Sequence, residues 1–176
     1  IYMGVDGYTT VQDSLKDEQV FFSEAADEDA ATDQYASEWY GEQVTTGDQA
    51  RAFAKIMREH QLERTDGLTY AQMGRFIAAD DPESAAGTSD EEAALKDEEG
   101  NPISNPARQS WVTAVAITTA LNTSYMAEQL SIFGMVVGVA LLLTGVGLVI
   151  LSFAVFGREP ATETRNSRLR PKRPAS

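Results

Sequence analysis

The sequence predicts a mostly α, membrane-anchored protein: a small acidic helical extracytoplasmic domain followed by one long C-terminal transmembrane helix. Three observations carry this reading. Residues 132–156, IFGMVVGVALLLTGVGLVILSFAVF, hold nineteen apolar residues, four glycines and no charge among 25. Residues 1–128 hold 8 Lys+Arg against 25 Asp+Glu, a net of −17. Residues 158–176 reverse the balance, with six basic residues and two acidic ones. A bilayer core of roughly 30 Å needs about 20 apolar residues in a helix. A domain this small has no means of burying a 25-residue segment that is apolar on every side. The span lies far from the N-terminus, which excludes a secretory signal peptide.

Orientation follows from the basic residues. Arg158, Arg165, Arg168, Arg170, Lys172 and Arg173 all lie close behind the span, whereas the nearest basic residue before it is Arg108. Positive charge flanking a membrane helix stays inside. The expectation is therefore a cell-membrane protein with residues 4–128 extracytoplasmic, 129–157 in the membrane and a basic cytoplasmic tail over 158–176. With Pro160, Pro171, Pro174 and few apolar residues, the tail has the composition of a disordered flank lying beside lipid headgroups.

Composition also excludes functions. The 176 residues include no Cys and one His, so the chain alone offers no disulfide, thiolate site, Cys nucleophile or two-histidine metal centre. A formal charge of −13 argues against nucleic acid as a partner. There is no Gly-rich phosphate loop, and a lone His60 gives little basis for a Ser-His-Asp site. No cofactor is expected, and no enzymatic activity.

The elements follow in order. Ile1-Tyr2-Met3 leaves only three apolar residues, too few to establish the exit of an earlier membrane helix. Val11 and Leu15 are spaced i, i+4 and predict a short amphipathic helix, and Val20-Phe21-Phe22 a brief extended segment. Residues 24–39 are acidic and Ala-rich, either a solvated helix or loose chain. Ala50, Phe53, Ala54 and Met57 mark a helix face, with Asp48 suited to its start and Arg58 and His60 to its end. Thr69-x-x-Gln72 reads as a capping box opening a second short helix through Tyr70, Met73, Phe76 and Ile77, with a turn at Asp66-Gly67. Trp39, Tyr40 and Trp111 are expected in the core. Residues 80–104 carry nine acidic residues and one Lys and are expected as a flexible acidic loop; they lack the D-x-D-x-D-G pattern of a calcium loop. Asn105-Pro106 places Asn at an N-cap and Pro at N1, predicting a helix from 106 to 156 of about 75 Å.

One pattern on that helix has a mechanism. Ser124, Ser131, Gly138, Gly145 and Ser152 recur every seven residues, and Gly134 forms a GxxxG pair with Gly138. A seven-residue repeat keeps one seam facing a neighbour, and small residues let backbones approach closely where lipid supplies no hydrophobic drive. Ser131, Gly134, Gly138, Gly145 and Ser152 are thus the candidate helix-packing interface. The neighbour they imply is an earlier helix of this chain, a second copy, or a different membrane protein.

The motifs Thr65-Asp66-Gly67-Leu68-Thr69-Tyr70-Ala71, Asn105-Pro106-Ala107-Arg108-Gln109 and Thr119-Ala120-Leu121-Asn122 before a Gly-rich span resemble a family of small actinobacterial two-helix membrane proteins, often labelled "aromatic ring-opening dioxygenase". The resemblance covers roughly residues 8–156. It implies that residues 1–3 end a first membrane helix and that the intact N-terminus is cytoplasmic. The label does not suit the chemistry, because extradiol cleavage uses iron held by two His and a carboxylate. The function expected is a non-enzymatic accessory or assembly subunit docking to a membrane partner. The alternative is an envelope sensor whose acidic domain binds a cationic ligand or divalent ions.

Overall fold

The computed structural model describes residues 1–24 and 29–157. The basic tail, and residues 25–28 of the acidic Ala-rich stretch, lie outside the described residues. The described chain is mostly helical: α1 (Tyr2–Asp17), α2 (Ala30–Ala36), α3 (Gly47–Arg64) and α4 (Pro106–Phe156), with a single 3-10 turn at Tyr70–Gln72. Its β-structure is confined to isolated bridges. The chain divides into two compact units, Ile1–Val137 and Gly138 onward.

In the first unit α1 runs unbroken from Tyr2, joining the residues expected as a membrane exit to the amphipathic turn at Val11 and Leu15. The chain then extends as expected. Val44 N–H donates to Val20 O, and Phe22 N–H to Glu42 O. The acidic stretch forms α2, capped by Asp29, whose carboxylate accepts from Ala31 N–H. α3 begins at a full capping box: Thr46 Oγ1 accepts from Gln49 N–H, and Gln49 Oε1 accepts from Thr46 N–H at 3.1 Å. Leu15, Phe22, Val44, Ile56 and the α3 alanines bury together with Leu121 of α4. Each large apolar side chain buried there contributes about 1.5–3 kcal/mol. Trp39 stacks on Phe22, with ring centroids 5.7 Å apart.

Two sequence expectations need correction here. His60 does not cap α3, which continues to Arg64; its Nε2 lies 2.8 Å from Asp29 Oδ1 and ties α3 to the cap of α2. Burial works to raise the Asp29 carboxyl, but hydrogen bonds from Thr32, His60 and Ala31 outweigh it and hold the group below its usual value. The second short helix is only the 3-10 turn, although the Thr69–Gln72 capping box forms. Beyond it Gly74 lies so close to the Thr88 backbone that a Cβ would stand 2.3 Å from Thr88 C. Gly74 N–H donates to Ala86 O and Phe76 N–H to Thr88 O, so lateral pairing replaces helical bonds.

The acidic segment 80–104 folds back through bridges pairing Ala78 with Ala94 and Lys96 with Pro102. Asp97 closes a turn, accepting from Asn101 and Glu99 N–H groups, and the Asn101 bond foremost holds its carboxyl below the ordinary range. Asn105 joins this segment to α4. Its Oδ1 accepts from Ala107 N–H as an N-cap, while its Nδ2 donates to Gly74 O and Ala85 O. Gly87, at φ +58°, sits against that amide; a Cβ would lie 2.5 Å from Asn105 Nδ2.

The second unit is the C-terminal part of α4. The helix is long and apolar enough to cross a membrane, and its most apolar stretch is unburied by protein.

Candidate helix-docking site

α4 has one covered face in the first unit. Trp111, Ala114, Leu121 and Glu128 are buried along it. The spacing of 3, 7 and 7 residues keeps one side of the helix against the domain. Cations hold this face to α3: the Arg58 guanidinium lies 5.8 Å from the Trp111 ring centroid and that of Arg51 4.7 Å from the Tyr125 ring. Gln61 Nε2 adds a hydrogen bond to Ser110 Oγ at 2.9 Å.

Glu128 is the last charged residue before the apolar run and is 4% exposed. Its Oε2 accepts from Gly47 N–H at 3.0 Å, at the first residue of α3. The carboxylate thus meets the positive end of a helix dipole and one of that end's unpaired amides. Residue 47 must be small, since a Cβ would lie 2.9 Å from Tyr125 Cα.

One turn further along, α1 crosses α4. A Cβ on Gly4 would stand 2.9 Å from Ser131 O and 2.7 Å from Met135 Cγ, and one on Gly7 would stand 2.7 Å from Ser131 Oγ. Two glycines spaced i, i+3 therefore bring the α1 backbone onto Ser131. Ser131 Oγ turns back to donate to Ala127 O at 2.9 Å.

The structure separates the members of the predicted stripe. Ser131 faces α1. Gly138 is half-buried. Gly134 and Gly145 are exposed, and a Cβ on either meets nothing within 4 Å. Ser152 is exposed and borders a shallow apolar depression with Leu148, Leu151, Val155 and Phe156. Ser124 is half-buried and donates to Ala120 O. The GxxxG pair is split in surroundings, with Gly138 partly covered and Gly134 open. Sequence reasoning missed Glu128, Gly47, Gly4 and Gly7. The i, i+3 glycines of α1 were a readable signal for a close helix contact; the Gly47–Glu128 pair, 81 residues apart, gave none.

Among the described residues there is no group of three or more His, Asp or Glu side chains placed to hold a metal ion. Comparison with protein-family models, with curated proteins and with solved structures finds no match.

Proposed function

We propose that this chain is a non-enzymatic membrane protein that docks to another membrane protein through the small-residue side of α4, as an accessory or assembly subunit. The observation supporting this reading is the seating of Gly4 and Gly7 on Ser131, where one position of the stripe receives a helix at backbone distance. The remaining positions, Gly138, Gly145 and Ser152, follow Ser131 at seven-residue intervals in the sequence. Glycine in a helix interior costs about 1 kcal/mol relative to alanine. At Gly145 nothing among the described residues offsets that cost, because the space for a Cβ is open. A neighbouring helix packed there would offset it through close contact.

In this reading the acidic domain is extracytoplasmic, the tail is cytoplasmic and α4 joins the two. Within the first unit, the cap at Asn105, the Glu128 bond and the α1 contact at Ser131 hold the N-terminal part of α4 to the domain. The test is a photoreactive residue placed at Gly145 and, separately, at Leu143, about 160° around the helix. The reading expects one discrete crosslinked species from position 145 and none from 143 in native membranes. Equal labelling at both positions, or lipid adducts alone, would contradict it.

A further inference from the structure

A trough of about 270 Å³ opens between the end of α1, α3 and the N-terminal half of α4. Its floor is apolar, formed in part by Leu15, Val44 and Leu121, each no more than 9% exposed. Its rim carries Ser14, Glu18 and Ser124. A dry cavity of about 150 Å³ is enough for benzene, so this one has room for a ring with a short chain. The apolar floor with a few polar groups at one side is the usual build of a small-ligand site.

The rim selects the charge. Among the described residues Glu18 is the one charged residue lining the trough, and it is exposed. It caps the C-terminus of α1, so the negative end of that helix dipole lies at the same rim. Lys16, the nearby cation in the last turn, is paired with Asp13 at 3.7 Å. A net of −17 over residues 1–128 adds a long-range field of the same sign. We infer that this trough binds a small amphiphilic cation, a primary amine on a compact apolar body, with the body over Leu15 and Leu121 and the ammonium at Glu18.

The repeat and the trough share only Ser124; none of the candidate interface residues Ser131, Gly134, Gly138, Gly145 and Ser152 lines the trough, so the inference does not rest on the docking reading. The test uses the full chain in lipid nanodiscs and three fluorinated probes of matched body: 4-fluorophenethylammonium, 4-fluorophenethyl alcohol and 3-(4-fluorophenyl)propanoate. Binding is read from fluorine NMR line broadening. The amine should bind best and the carboxylate worst. Ala120→Trp, on the exposed wall of the trough, should weaken the amine at least tenfold, and Ser124→Phe should do the same by a second route. Thr119→Trp, beside it but outside the lining, should leave binding unchanged. Glu18→Gln should weaken the amine about two- to fivefold, the size of an exposed ion pair, and leave the alcohol unaffected. Three results would overturn the inference: amine binding undiminished by both filling variants, equal binding of amine and alcohol, or no saturable broadening by about 10 mM. A phospholipid retained by wild type but not by Ala120→Trp in native mass spectrometry would assign the trough to an acyl chain instead.

Discussion

Replacing Glu128 isolates the contact that joins α3 to α4 just before the apolar run. Its Oε2 receives the Gly47 amide at 3.0 Å, and the side chain is almost fully buried. In Glu128→Gln an amide oxygen still accepts the bond, while the charge facing the helix dipole is gone. The dipole interaction is worth up to about 2 kcal/mol in a partly buried setting, and relief of the carboxylate's desolvation returns part of that. The expected net loss is about 1 kcal/mol. Glu128→Ala also strands the Gly47 amide, at about 1–3 kcal/mol, and removes one buried methylene at about 0.8 kcal/mol; with the charge term, taking the lower figure for the amide, the loss is about 3 kcal/mol. For a folded unit of this size each kcal/mol moves Tm by about 3–4 °C. Thermal unfolding followed by the fluorescence of Trp39 and Trp111 should fall by about 3–4 °C for Gln and 9–12 °C for Ala. An Ala variant within 1 °C of wild type would refute the claim that this bond holds α4 to the domain.

Other outcomes follow from the same packing. Asn105→Asp keeps an acceptor for the Ala107 amide but loses the donor to Gly74 O and Ala85 O, so denaturant unfolding should show at least about 2 kcal/mol of destabilisation although Asp is as good an N-cap. Gly4→Ala meets the Ser131 carbonyl whereas Gly7→Ala meets only a movable hydroxyl, so hydrogen exchange in α1 should speed by about tenfold for Gly4→Ala and by less than threefold for Gly7→Ala. Because the Asp29 carboxyl titrates below its usual 3.8, the stability it contributes is present above the unfolded value and is lost as pH falls through the folded one. Exchange in α2 should therefore accelerate below about pH 4, and Asp29→Asn, which keeps the cap, should flatten that dependence.

The parts of the fold readable in the sequence are those set by near neighbours. Asn105-Pro106 and the unbroken run to Phe156 announced α4 because capping and helix propagation are local. The extended Val20–Phe22 segment was legible from its apolar run. The 69–77 segment failed for a long-range reason: the capping box formed, but pairing with 86–88 at Gly74 and Phe76 took the amides a helix would need. His60 was misjudged because its partner, Asp29, lies 31 positions earlier. In the candidate docking site, the seven-residue stripe was visible as a periodicity. That Ser131 is covered and Gly134 open was not, because that depends on where α1 meets α4.

The most direct test of the docking account is Gly138→Ile, at the centre of the seven-residue repeat. Isoleucine is favourable at mid-span, at roughly −0.3 to −0.6 kcal/mol, so insertion is preserved, while its side chain pushes a packed neighbour outward. The variant is compared with Leu143→Ile, about 140° away on the helix, at matched expression in native membranes. The account predicts that Leu143→Ile retains the crosslinked partner captured from position 145, while Gly138→Ile loses most of it with Tm of the acidic domain unchanged. Retention of that partner by Gly138→Ile at the wild-type level would contradict the account.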